Sequence, residues 1–153
     1  MKILQIVGTK KSGKTTCVVD FITSAREIGL SVAAIKHSSH SVVMDTPETD
    51  SFKFAAAGAR EVSLATADSF LYHKSAPVEI DEILSDFVSA DTDLVLIEGF
   101  RSAEFPRLQL LKIGEIKDQI GNGTFGSIFE IGRGTDLTTT EKRKEWLKKW
   151  LEN

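Results

Sequence analysis

Short apolar runs alternate with stretches of helical periodicity, and the first such pair is joined by a segment dense in glycine and lysine. The most apolar run of all stops abruptly at Glu98-Gly99. Together these predict an α/β fold with a mostly parallel sheet flanked by helices. The chain has 153 residues, 41% hydrophobic and 27% charged, which suits one domain with one core, so a single domain over 1–153 is expected.

The elements follow in order. "KILQIV" (Lys2 to Val7) reads as a buried strand, and Val18, Val19, Ile22, Ala25 and Ile28 recur at helical spacing through Thr15 to Gly29, where a glycine closes the helix. "SVAAIK" returns as a strand, completing a βαβ unit with its parallel pairing and right-handed crossover. A second helix is expected from about Asp50 to Ala57, ending near Gly58. "EVSLATADSFLYHK" reads as two strands around a turn at Thr66 to Asp68, which implies some antiparallel pairing. "VEIDEILSDFV" is helical, "TDLVLIEGF" and "PRLQLLKI" are strands, "SIFEI" is a weaker strand, and "TTTEKRKEWLKKWLEN" is a C-terminal helix opening on a threonine cap. Trp146 and Trp150, with Leu147 and Leu151 beside them, form an apolar stripe suited to core packing or to an interface.

Composition excludes several classes. A formal net charge of −3 offers no general attraction to nucleic acid, so a bound anion must be caught by local donors. The single cysteine, Cys17, precludes an internal disulfide framework and sits where a small core residue is expected. No signal-like segment and no run of roughly 20 apolar residues is present, so a cytoplasmic protein without a membrane span is expected.

The segment joining the first strand and helix is Gly8-Thr9-Lys10-Lys11-Ser12-Gly13-Lys14-Thr15-Thr16, which satisfies G-x-x-x-x-G-K-[ST] in the strand-turn-helix context the motif requires. Its glycines let successive N–H groups turn toward phosphate oxygens, and the positive end of the helix dipole adds to the same field. Lys14 is expected at the β- and γ-phosphates, Thr15 on a Mg²⁺ ion bridging them, and Thr16 toward the α-phosphate. The fold is therefore expected to be of the P-loop NTPase kind.

A hard cation also needs a carboxylate at the end of another strand, and "LVLIEG" supplies Glu98 there, as metal ligand or as the group that orients a water. Asp93 precedes the same strand and is at the wrong end. The polar stretch from Lys36 to Ala59, with His37, His40, Asp45, Asp50 and Ser51, lies where a switch loop or substrate contact belongs. His37 and His40 with Asp45 make a loose, under-populated metal set, so hydrogen bonding to an anion is the expected use.

The blocks "GTKKSGKTT", "IKHSSH", "DTPETDSFKFAAAGA" and "DLVLIEGFR" occur in an order and spacing that resemble the MobB family, the molybdopterin-guanine dinucleotide biosynthesis adaptor. The resemblance implies a GTP-binding P-loop protein, at most a slow Mg²⁺-dependent GTPase. It would form a homodimer and assist the guanylyltransferase that joins GMP to molybdopterin. It places Lys10, Gly13, Lys14, Thr15 and Thr16 at the nucleotide, Glu98 at the metal and phosphates, and His37, His40, Asp45, Asp50 and Ser51 in the switch-like loop. Asp45 is the second carboxylate assigned to catalysis, and Arg101 joins the nucleotide-binding set. With Phe100 and Phe105 around it, Arg101 also suits a pocket for an anionic pterin or a partner's loop.

The chain departs from that family in reading Lys53-Phe54 where a basic residue has a polar or histidine neighbour, and a lysine lacks the planar fork of arginine. No N-K-x-D guanine-reading motif occurs; Asp136 is a candidate for that task or a plain turn residue, so guanine preference rests on the resemblance. A P-loop kinase of a small metabolite is the alternative, disfavoured by the lack of an arginine-rich lid insert. A nucleotide-binding module without turnover is another.

Overall fold

The computed structural model describes residues 1–38, 46–111 and 135–153. The chain gathers into two compact units, one from Met1–His37 with Leu84–Asn153 and the other from Ser38–Ile83.

The first unit holds a four-stranded parallel sheet in the order β2-β5-β1-β6, from β1 (Lys2–Gly8), β2 (Val32–Lys36), β5 (Leu94–Glu98) and β6 (Arg107–Leu110). The two central strands are the near-continuous apolar runs of the sequence: every residue of β5 is buried, as are Leu4 to Val7 of β1. Strands covered on both faces read this way because neither face can carry unpaired polar groups. β5 lies between β1 and β2, so the connection through α1 (Lys14–Glu27) must pass over β5. That crossover brings the end of β5 beside the loop that follows β1.

Alternation sorts the sheet residues. Leu4, Ile6, Leu94, Leu96 and Leu108 point into one cluster with Cys17, Val18, Phe21 and Ala25 of α1. Leu147 of α4 (Thr140–Glu152) completes it, fully buried. The C-terminal stripe is thus spent on packing: Trp146 stacks on Phe21 at 5.4 Å between ring centroids and on Trp150 at 6.3 Å. Lys2 donates to the Leu151 carbonyl at 2.7 Å with its ammonium 5.5 Å from the Trp150 ring. A partly buried ion pair, Arg143 Nε to Asp20 Oδ2 at 2.5 Å, ties α4 to α1. Thr139 caps α4 by accepting from the Lys142 amide, as the threonine run predicts. Gly29, with φ of 86°, turns the chain out of α1.

The second unit contains α2 (Asp50–Ala56), capped by the Thr49 hydroxyl, and a hairpin of β3 (Glu61–Ala65) and β4 (Phe70–Lys74). The turn at Thr66 is closed by its hydroxyl, which accepts from the Ser69 amide at 2.9 Å. The antiparallel pairing expected from the sequence is present, but as a separate two-stranded sheet. A hairpin's turn determines its own register locally; it does not determine which other strand, if any, lies alongside. α3 (Ile80–Asp86) spans the boundary between the units. The expected strand at Ser127 to Ile131 lies outside the described residues. Among the described residues no helix is long and apolar enough to cross a membrane.

Candidate functional site

The loop after β1 is shaped by contacts only glycine permits. A Cβ on Gly8 would lie 2.5 Å from the Leu110 carbonyl oxygen and 2.5 Å from the Ser12 hydroxyl, so β6 and the loop close onto a bare backbone. Lys11 and Gly13 adopt left-handed φ of 62° and 86°, curling the chain before α1 begins at Lys14. Gly13 supplies no capping side chain and the first turn of α1 carries no acid, so the helix N-terminus presents its amides and positive dipole to an outside anion. Residues 10–16 and Glu98 border a concavity of about 330 Å³. Lys14 Nζ folds back over it, donating to the carbonyls of Thr9 at 2.7 Å and Gly8 at 3.2 Å.

Glu98, only 8% exposed, reaches the same place from the end of β5. Thr15 Oγ1 lies 3.0 and 3.2 Å from its two carboxylate oxygens, and Lys36 Nζ, at the end of β2, is 3.2 Å from Oε1. Lys36 also donates to Thr15 Oγ1 at 3.3 Å. A hydroxyl has one proton, so Thr15 giving it to Glu98 leaves only lone pairs on its other side. One hydroxyl oxygen and one carboxylate bordering this concavity suit a hard cation whose other ligands come from an anion and water, as Mg²⁺ prefers.

The turn after Glu98 is held from three sides. Gly99 has φ of 103°, and an added Cβ would sit 2.9 Å from the His37 carbonyl oxygen, so β2 and β5 meet here without room for a side chain. The fully buried Gln5 donates through Nε2 to the carbonyls of Gly99 at 2.7 Å and Phe100 at 2.5 Å. Arg101 Nη2 donates to the Gly8 carbonyl at 2.7 Å, which links this turn to the loop after β1. His37 lies against Phe100, 4.5 Å between ring centroids, and its amide donates to the Glu98 carbonyl at 2.8 Å.

The structure therefore gathers Gly8, Thr9, Lys10, Lys11, Ser12, Gly13, Lys14, Thr15, Thr16, His37, Glu98 and Arg101 at the carboxyl ends of the parallel strands. Asp50 belongs to the 38–83 unit, where it opens α2 and pairs with Lys53 at 3.2 Å. His40 and Asp45 lie outside the described residues. Asp93 sits at the far end of the sheet, accepting from the amide and hydroxyl of Ser31 at 2.8 and 2.9 Å, as its position before the strand predicts. Asp136 is taken up locally: Lys142 pairs with it and Thr138 donates to it through hydroxyl and amide, which holds its carboxyl well below the usual range and favours the turn reading. Burial pushes the Cys17 thiol up to about 12, so the group stays a neutral core residue. A groove of about 490 Å³ beside Lys2, Asp93 and Leu151 lies at the amino ends of the strands, away from these converging donors.

Two site residues escaped sequence reasoning. Lys36 closes an apolar strand as Glu98 does, and that shared position was the available signal; its meaning depends on β2 and β5 being neighbours in register, Lys36 opposite Glu98. Gln5 was visible as the one polar residue inside "ILQIV".

Comparison with known proteins finds relatives of this chain. A family model described as "Molybdopterin guanine dinucleotide synthesis protein B" matches residues 3–124. The molybdopterin-guanine dinucleotide biosynthesis adapter protein of Haemophilus influenzae is 34% identical over 110 residues, covering 71% of this chain and 62% of that protein. A Methanocaldococcus jannaschii protein provisionally named for the same role is 34% identical over 122 residues, 80% of this chain and 50% of its own length. The chain thus spans about half to two-thirds of the length of these relatives. The crystal structure of Bacillus subtilis MobB superposes with a TM-score of 0.64 at 27% identity, over 77% of this chain and 73% of that one. A Bacillus stearothermophilus MobB homologue gives 0.58 at 26% identity, over 75% and 67%.

Proposed function

The chain belongs to the family of molybdopterin guanine dinucleotide synthesis protein B, MobB, and from that premise we propose that it is a GTP-binding adapter in molybdopterin guanine dinucleotide biosynthesis. In this reading it supports a partner guanylyltransferase that attaches GMP to molybdopterin. The observation that carries the nucleotide reading is the Thr15 hydroxyl bonded to Glu98 at 3.0 Å, directly beside the open N-terminus of α1.

Each residue then has a task. The backbone amides of 10–16 surround the phosphates, and Lys14 exchanges the carbonyls of Gly8 and Thr9 for phosphate oxygens. Thr15, oriented by Glu98, would hold Mg²⁺, which when bound neutralises phosphate charge. Glu98 accepts from Thr15, and a carboxylate committed to orienting that hydroxyl is a poor base for an attacking water. That supports slow turnover, with the nucleotide acting mainly as a bound ligand. Exposed Phe54, Phe70, Leu64 and Leu71 in the 38–83 unit, the last two directly opposite across the hairpin, support a homodimer, which sedimentation would test.

The test is a Mg²⁺-dependent titration of GTP against ATP, with Lys14→Ala as the blank. A preference for GTP, weakened roughly ten- to a hundred-fold in Lys14→Ala by the loss of charge-assisted hydrogen bonds, supports the reading. Equal or ATP-favoured binding removes the guanine part. Phosphotransfer to a small metabolite would replace the adapter with a kinase.

A further inference from the structure

We propose that Lys36 is a resident cation for the Thr15–Glu98 pair, holding by its ammonium the place a divalent ion takes when the site is loaded, so that ion and ammonium compete. The proposal rests on the nucleotide reading of residues 8–16 and adds to it a residue that sets how strongly the site demands metal.

Glu98 carries the charge that has to be balanced. It follows four fully buried apolar residues, and its side chain is 11% exposed, so its negative charge needs a local counter-charge. Thr15 offers a proton but no charge. Lys36 offers both, at 3.2 Å from Oε1. Its second contact is the informative one. Lys36 Nζ donates to Thr15 Oγ1 at 3.3 Å while that hydroxyl gives its proton to Glu98. The lone pair that would face a cation therefore faces an ammonium, and the three groups close a triangle with the cation at the vertex between hydroxyl and carboxylate.

The placement is built into the sheet. Lys36 and Glu98 are direct partners on adjacent parallel strands, so their side chains leave the backbone at the same level. Departure is equally accessible, since the Lys36 side chain is 60% exposed and ends in a strongly hydrated head on a flexible stem. A monovalent ammonium can be displaced by a divalent ion that takes the same two oxygens together with phosphate. Nucleotide arriving without metal leaves the triangle intact.

The experiment follows Mn²⁺ binding by electron paramagnetic resonance in the presence of GTP, and GTP binding in EDTA, for wild type, Lys36→Met and Lys36→Arg. Lys36→Met keeps the length of the side chain and removes the charge, leaving Glu98 without its cation. It should bind Mn²⁺ about two- to fivefold more tightly, the equivalent of one partly exposed ion pair, while GTP affinity in EDTA stays within about twofold. Lys36→Arg should stay near wild type. Should Lys36→Met fail to fold, Lys36→Gln, a neutral group that still donates to Glu98, replaces it with the same expectation. Unchanged or weaker Mn²⁺ binding overturns the proposal. Weaker GTP binding in EDTA also overturns it, by making Lys36 a phosphate contact. Lys14→Ala runs alongside: if wild type binds no GTP, or Lys14→Ala binds it equally well, the nucleotide reading itself fails, whatever Lys36 does.

Discussion

Replacing Gly99 by alanine tests whether Glu98 is held by a close approach of two backbones. Gly99 has φ of 103°, and an added Cβ would lie 2.9 Å from the His37 carbonyl oxygen and 3.0 Å from the His37 Cβ. Gly29, in the same compact unit, has φ of 86° with nothing within 4 Å of the corresponding position. Both substitutions place alanine at positive φ, which costs about 1–2 kcal/mol. Only Gly99→Ala also forces backbone to move, as in an overpacked core, for about 1–3 kcal/mol more. Gly99→Ala should therefore cost about 2–5 kcal/mol and Gly29→Ala about 1–2. Urea unfolding followed by tryptophan fluorescence reads this directly, because both tryptophans, Trp146 and Trp150, lie in that unit. The displacement also bears on the site, since the His37 amide bonds the Glu98 carbonyl at 2.8 Å; Mg²⁺-dependent GTP binding should weaken in Gly99→Ala and not in Gly29→Ala. A Gly99→Ala protein no less stable than Gly29→Ala would refute the close-approach argument.

Further outcomes follow from the same structure. Leu147→Ala, removing a fully buried side chain between α4 and α1, should cost about 2–5 kcal/mol in the same unfolding measurement. Arg143→Met should cost about 2–4 kcal/mol by leaving Asp20 without its partner, and adding Asp20→Asn should recover part of that loss in a double-mutant cycle. Asp93 has its carboxyl pKa lowered by the Ser31 amide and hydroxyl. A lowered folded value contributes stability that is fully present above the unfolded value of about 3.9 and lost as pH falls through the folded one. Asp93→Asn should flatten that acid decline in a series of melts below about pH 4, leaving the neutral region without a new slope.

The strand-turn-helix geometry of residues 2–16 was legible because everything it needs is adjacent in the chain: a strand, Gly8 and Gly13 five residues apart, and the first turn of α1. Glu98 was legible for a related reason, since an acid closing the most apolar strand is conspicuous without knowledge of its neighbours. The helix cap at Thr139 and the hairpin turn at Thr66 are likewise satisfied within three residues. These are the contacts that local propensity and side-chain chemistry determine before any tertiary packing.

The tertiary structure decided the partnerships across the chain. β5 enters between β1 and β2, and from that order alone Lys36 comes opposite Glu98, Thr15 meets the same carboxylate, and Arg101 reaches the Gly8 carbonyl. Gln5 became a support of the turn at Gly99 and Phe100, and the tryptophan stripe came to stack on Phe21. The physical reason is that parallel strands exchange uniform backbone hydrogen bonds, so many strand orders satisfy the same apolar runs. The choice among them is made by the packing of side chains far apart in sequence, and the charges at the strand ends acquire their partners only once it is made.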